Sequence, residues 1–174
     1  NFIKFWRETS SDFINLLVIA GSKTSEIEGI SAAGATPKSR EYTAVADATL
    51  LLYGPKKSCN VSLPPLPAGV SPALISYVSS KFLNLNPLVL ATGLSQPPSF
   101  PHLRIDSPTY GPSLCVSTGK SMDKERVDTL WERGFQIGKN LRQPLVISEC
   151  VPGGTTTAQA VLIAMGIDVK NLIT

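Results

Sequence analysis

Residues 144–165 read PLVISECVPGGTTTAQAVLIAM. Pro144 opens a short apolar run, Leu145-Val146-Ile147, of the length and β-branching of a buried strand. A carboxylate, Glu149, stands where that strand ends. Pro152-Gly153-Gly154 then breaks the backbone, three threonines follow, and Ala158, Val161, Leu162 and Met165 recur at helical spacing. The segment therefore predicts strand, glycine turn and threonine-capped helix. Such a turn points free backbone N–H groups and the positive end of a helix dipole at one place, which suits an anion. The glycines admit a ligand close to the backbone, and a hydroxyl at Thr155 or Thr156 can cap the helix or bind the same anion. An ordinary capped helix start carries the same spacing. Glu149 would repel a phosphate laid against it, and so is expected to face a sugar hydroxyl, a cationic ring or an N–H of the ligand.

Outward from this segment the chain repeats the pattern. Phe13 to Ala20, FINLLVIA, predicts a strand ended by Gly21. The next loop, GSKTSEIEGISAAGATP, is rich in small residues and is either a place where a ligand passes close or a flexible surface loop. Thr36-Pro37 starts a short helix to about Ala46. Ala48 to Tyr53 predicts a second buried strand, stopped by Gly54-Pro55, and a loop with Pro64, Pro65 and Pro67 follows. Ser71-Pro72 begins a helix with Leu74, Ile75, Val78 and Phe82 on one face. PLVLAT, from Pro87, predicts a third strand ended by Gly93.

Residues 94–122 form a long proline-rich stretch that holds His102, the sole histidine; beside prolines it reads as a surface residue. Ser117-Thr118-Gly119-Lys120-Ser121 imitates the end of a phosphate-binding P-loop, but Leu114 occupies the place of its first glycine. Acids at Asp123 and Glu125 oppose a phosphate there, so Ser121 reads as a helix cap, with Lys120 as a lesser candidate for reaching the ligand. The helix from about Met122 to Leu141 carries Val127, Leu130, Trp131, Gly134, Gly138 and Leu141 on one stripe, expected to lie close against a sheet or helix. Apolar, non-alternating strands separated by helices predict an α/β fold with a mostly parallel sheet flanked by helices. Ligands of such sheets gather beyond the carboxyl ends of the strands, so Gly21, Gly54, Gly93 and Glu149 are expected along one rim.

Two segments follow from this reading: an apolar N-terminal helix within residues 1–12, with Phe2, Ile3, Phe5 and Trp6 needing cover from the body or a partner, and an α/β core over 13–174. With 174 residues, 43% of them hydrophobic, the chain can bury one substantial core. A net charge of +3 with scattered cations and no aromatic ladder is too small to imply nucleic acid, and none is expected as a partner. Cys59, Cys115 and Cys150 are odd in number and far apart, which offers no zinc site and favours a reducing, cytoplasmic setting. Asn60-Val61-Ser62 fits a glycosylation acceptor by chance. No apolar run approaches the roughly 20 residues of a membrane span, and no signal peptide is visible. The chain opens on Asn1 rather than Met, and its natural N-terminus is expected upstream.

The series GISAAGATP (29–37), DATLLLYGP (47–55), DSPTYGP (106–112), STGKSMD (117–123) and ECVPGGTTTAQAVLIAMG (149–166) resembles a divergent branch of the nicotinate-nucleotide:dimethylbenzimidazole phosphoribosyltransferase family. The resemblance spans nearly the whole chain. It implies a Rossmann-like core, a homodimer, and transfer of phosphoribosyl from nicotinate mononucleotide to a benzimidazole-type azole in making the lower ligand of cobalamin, with no metal and no cofactor. Carried over by position, Gly153, Gly154, Thr155 and Thr156 contact the ribose phosphate, and Glu149 binds the ribose or azole side. Active members usually have asparagine at the place of Gly154. Their catalytic base is a glutamate in a glycine-rich motif much further along, so that base is expected beyond Thr174 and the chain reads as the N-terminal portion of a larger domain. A nucleotide-binding or assembly domain without catalysis is the alternative. A dinucleotide-dependent oxidoreductase ranks below both, because Gly21-Ser22-Lys23-Thr24 lacks the G-x-G-x-x-G that should follow the first strand.

Overall fold

The computed structural model describes residues 2–9, 13–55, 71–107, 109–170 and 172. Helix α1 (Phe2–Thr9) precedes strand β1 (Ile14–Ala20); helices α2 (Pro37–Tyr53) and α3 (Pro72–Phe82) lead to β2 (Pro87–Thr92). A two-residue strand β3 (Leu103–Arg104), helix α4 (Lys124–Asn140), strand β4 (Leu145–Cys150) and helix α5 (Gly154–Ala164) complete the order. The four strands form one sheet in the order β3-β2-β1-β4, and every pairing is parallel. This is the α/β architecture expected from the apolar strands, and it is compatible with a Rossmann-like fold. Leu16 lies opposite Leu88 on one side and Ile147 on the other, so β1 is the central strand on which the register rests.

The core lies where α2 meets β1 and β2: Leu17, Ile19, Ala44, Ala48, Leu51, Val89, Ala91 and Phe100 are buried together. Ala44, Ala48 and Leu51 fall at helical spacing, and the two alanines let the α2 backbone settle on the sheet. Here one expectation is corrected. Ala48–Tyr53 is not a strand but the last turns of α2, which runs on past Ala46. A short apolar run is equally at home in a buried helix, and no breaker intervenes between Pro37 and Gly54. The start of α2 is as expected: Thr36 caps it, accepting from the Ser39 N–H at 3.1 Å, while Ser39 Oγ accepts from the Thr36 N–H at 3.0 Å.

Other elements form as expected but face differently. Ser71 caps α3, yet Ile75, Val78 and Phe82 of its expected buried face are exposed. Tyr77 is the residue that packs toward the core, because Gly54, at φ 78°, leaves room that a Cβ would close to 2.6 Å from the tyrosine ring. The α4 stripe is likewise turned outward. Val127 and Trp131 are exposed, Cβ atoms added at Gly134 or Gly138 would meet nothing, and Arg126 is the helix's buried residue. Asp123, not Ser121, is its N-cap; the Ser121 carbonyl instead accepts from the Leu114 N–H at 2.9 Å. The exposed side chains of α1 include Ile3 and Phe5. Cys59, the 60–62 acceptor and the prolines at 64, 65 and 67 lie outside the described residues.

Candidate functional site

With β1 at the centre, the chain runs to β2 on one side and later crosses back to β4 on the other. The strand order therefore reverses between β1 and β4, and the crevice beyond their carboxyl ends is where ligands of open α/β sheets bind. Gly21, Gly93 and Glu149 stand at the ends of β1, β2 and β4 along this rim, as expected. Gly54 does not; it ends α2.

A cavity of about 490 Å3 opens at the crevice, within the size range of small-molecule sites. Four of the five predicted binding residues line it: Gly153, Gly154, Thr155 and Thr156. Opposite them stand Gly29 to Ala33 of the loop after β1, with Thr43 and Asp47 of α2. Glu149 is separate. It lines an adjoining groove of about 530 Å3 on the α2–α3 side of the sheet. The two spaces share Asp47 and Cys150, and a Cβ on Gly154 would lie 3.5 Å from Glu149 Oε2, so the carboxylate borders the turn from behind.

The turn itself differs from a threonine-capped start. Gly153 is the N-cap of α5, at φ 76° and ψ 7°, and no side chain caps the helix. The Gly154 N–H donates to the Val151 carbonyl at 2.8 Å and the Thr157 N–H to the Gly153 carbonyl at 3.1 Å. The N–H groups of Thr155 and Thr156 lie between these, in the first turn, on the cavity wall. Thr157 takes the hydroxyl role closest to a cap, donating to the Gly153 carbonyl at 3.1 Å. The need for glycine at 153 has a structural source: an added Cβ would sit 2.9 Å from the Ser25 nitrogen, in the 3-10 turn Lys23–Glu26 that follows β1. Gly153 thus admits a neighbouring backbone, while the room for a ligand lies at Gly154 and beyond.

The loop after β1 is held in place rather than loose. Ser22 caps the 3-10 turn, accepting from the Thr24 N–H at 3.2 Å. Arg40, buried on α2, donates to the carbonyls of Ser25 and Gly34, the latter at 3.0 Å. Thr43 donates its hydroxyl to the Ala33 carbonyl. Lys23 pairs with Glu26 and Glu41, and this raises its pKa through the Glu26 hydrogen bond first. Backbone carbonyls held by a buried guanidinium fix the loop that forms one cavity wall.

Two side chains at the cavity carry shifted protonation that periodicity does not reveal. Asp47 accepts from Ser71 Oγ at 2.7 Å and from Cys150 Sγ at 3.6 Å. Burial pushes its carboxyl above the ordinary value, against the lowering effect of those two hydrogen bonds. The Cys150 thiol is pushed up to about 12, by burial first and then by the charge and hydrogen bond of Asp47, so it remains a protonated donor at neutral pH. The signal for Asp47 was a lone carboxylate inside the apolar DATLLLY run; on a helix that aspartate sits one turn before Leu51 and reaches the sheet.

The rest of the rim is structural. The proline-rich stretch docks on β1 through a bridge between Ser22 and Ser113, with the Lys23 N–H donating to the Ser113 carbonyl at 2.8 Å. Asp106 Oδ2 accepts from Thr92 Oγ1 at 2.6 Å, the Gly93 N–H at 3.1 Å and Arg126 Nη2 at 3.0 Å. Arg126 also stacks over Tyr110 at 4.8 Å. A smaller cavity of about 240 Å3, lined by Thr92, Gly93, Arg104, Asp106, Ser107 and Tyr110, lies beside this cluster. His102 Nδ1 donates to the Phe100 carbonyl oxygen at 2.9 Å, a local contact within the loop. Lys120 lines neither cavity nor groove. Among the described residues, no helix is long and apolar enough to cross a membrane, and no group of three His, Cys, Asp or Glu side chains could hold a metal ion.

No family model matches the sequence. Over 168 residues it is 58% identical to a UPF0284 protein of Prochlorococcus marinus (strain MIT 9313) and 57% identical to one of Parasynechococcus marenigrum (strain WH8102). A UPF0284 protein of Crocosphaera subtropica is 37% identical over 177 aligned positions. These matches take in 97%, 97% and 99% of this chain but 42%, 43% and 47% of the relatives. The chain is thus similar from end to end to UPF0284 proteins, and it spans a little under half the length of the curated relatives it matches.

Proposed function

We propose that the chain supplies the phosphoribosyl-binding part of a site that transfers phosphoribosyl from nicotinate mononucleotide to a benzimidazole-type base. The observation that supports this is the cavity at the β1–β4 crossover, where the uncapped start of α5 offers the Thr155 and Thr156 N–H groups and hydroxyls. A dianionic 5′-phosphate bound there gains from oriented N–H groups and the helix dipole. The resemblance of the motif series selects the nucleotide.

In this reading an azole nitrogen attacks the anomeric carbon from the face opposite the pyridinium. The new C–N bond forms as the old one breaks, and the bonding pair returns to the ring nitrogen, so nicotinate leaves without the pyridinium charge. The azole N–H proton passes to a carboxylate acting as general base. By resemblance that base is a glutamate outside this chain. Thr155 and Thr156 hold the phosphate, with Gly154 leaving room beside it, and so fix the anomeric carbon in line. Glu149 approaches from behind the turn, on the ribose or azole side. Asp47, already accepting from Ser71 and Cys150, orients the cavity floor rather than taking the proton.

The test is a full-length relative, such as the Prochlorococcus marinus protein, given nicotinate mononucleotide and dimethylbenzimidazole. Azole-dependent release of nicotinate, read by chromatography, is the expected result. No release with any of several azoles overturns the transferase reading. Calorimetric binding of the nucleotide without turnover would favour a nucleotide-binding or assembly domain, a reading supported by the glycine at 154 where active members carry asparagine.

A further inference from the structure

Among the described residues, strand β4 occupies the outer position of the sheet and pairs on one side, with β1. Its sequence is only lightly protected for an edge. Natural edge strands are blunted by charges (lysine above all), internal prolines or bulges, whereas LVISEC carries the single charge of Glu149 near its end and leaves Ile147 65% exposed. Both of its faces are also open. On the α2–α3 side the groove of about 530 Å3 carries Leu17, Leu51, Ile75, Leu83 and Val146. On α4, Trp131 and Phe135 stand one turn apart, 79% and 59% exposed. Parallel strands are found buried on both faces, and exposed apolar surface of this extent marks an interaction site.

The relatives supply a candidate for what covers it, since more than half of their length lies outside the matched region. We propose that β4 is an interior strand of the intact protein. A further strand from the part of the relatives not spanned by this chain pairs with its free edge, and the helices attached to that strand fill the groove and cover α4. Donors and acceptors along β4 match any incoming strand, and the apolar faces match amphipathic helices of the same polypeptide. This goes beyond the catalytic proposal and is tested without activity.

Hydrogen–deuterium exchange on the peptide containing residues 145–150 decides it, measured on this chain and on the full-length Prochlorococcus marinus protein. Every second amide of β4 should exchange at least about 100-fold more slowly in the full-length protein, as expected when an edge becomes interior. In a parallel arm, Ile147→Lys should leave the melting temperature of this chain unchanged, while lysine at the matching position of the full-length protein lowers it. Equal, rapid exchange in both proteins overturns the proposal. So does protection that appears in this chain alone as concentration rises and tracks a dimer by sedimentation, because the occupant is then a second copy.

Discussion

Around β1 and β2, Leu17, Ile19, Val89 and Ala91 are all but inaccessible, while in β4 Ile147, Ser148 and Glu149 face solvent. The strands begin alike: INLLVIA, PLVLAT and the first half of LVISEC are apolar without strict alternation, and β4 turns polar at Ser148 and Glu149. The difference lies in what covers them. α2 brings Ala44 and Ala48 against the sheet, and two missing side chains' worth of bulk bring its backbone down onto Leu17 and Val89. α4 leaves Val127, Trp131 and Phe135 exposed, and Arg126 is its one buried residue. A strand's composition states that it requires cover; it does not state whether the cover comes from the adjoining helix or from elsewhere in the protein.

The sharpest way to break this contrast is at its bridge. Asp106→Ala removes the acceptor that ties α4 to β2 and leaves Arg126 buried without its partner. A loss of about 3–5 kcal/mol is expected from breaking a buried ion pair, read as a lower urea midpoint with early loss of exchange protection in α4. Next come the isoleucines. Ile19→Ala on the covered strand should cost about 2–5 kcal/mol, and Ile147→Ala on the open strand within about 0.5 kcal/mol, both by denaturant titration of this chain. Equal costs would mean that β4 is covered after all.

The glycines divide in the same way. Gly153→Ala forces a positive φ and a Cβ into the Ser25 backbone, and a loss of about 2–4 kcal/mol is expected. Gly138→Ala on the open α4 stripe should instead stabilise by about 0.5–1 kcal/mol, through the helix entropy recovered. Thermal melts of the two variants check both signs. The smallest effect concerns Asp47, at the seam between the two halves. Its folded pKa is raised, so the folded state holds the proton more tightly than the unfolded chain. Stability therefore falls as pH climbs from the ordinary value of 3.8 through the raised one. Asp47→Asn, which can still accept from Ser71, should flatten that fall and be slightly the more stable protein at pH 7. A stability–pH profile that is the same in both would remove the buried charge from the account.

Local chemistry made much of the molecule legible. The caps at Thr36 and Ser71 were readable because a hydroxyl beside a proline offers one low-energy start. The turn after β4 was readable because Pro152-Gly153-Gly154 ends a strand whatever surrounds it. Thr155 and Thr156 were placed on a cavity, but the capping role went to Gly153, since a backbone packed against Ser25 excludes any side chain there. Ala48–Tyr53 was misread because three leucines in a row carry no period. Asp47 was passed over with it, since its reach to Ser71 and Cys150 exists only once the run is helical.

By itself, then, the order of residues determined the class of the fold: apolar runs too continuous for a half-exposed sheet, spaced by helices, require parallel strands with cover on both faces. It also determined that a glycine turn ends β4 and leads into a helix. The tertiary structure alone decided that the strand order reverses between β1 and β4, that Glu149 and the threonines line different sides of that turn, and that α4 and β4 keep their apolar faces open. Each of these depends on which elements meet across the sheet, a relation between residues distant in sequence that local propensity does not encode.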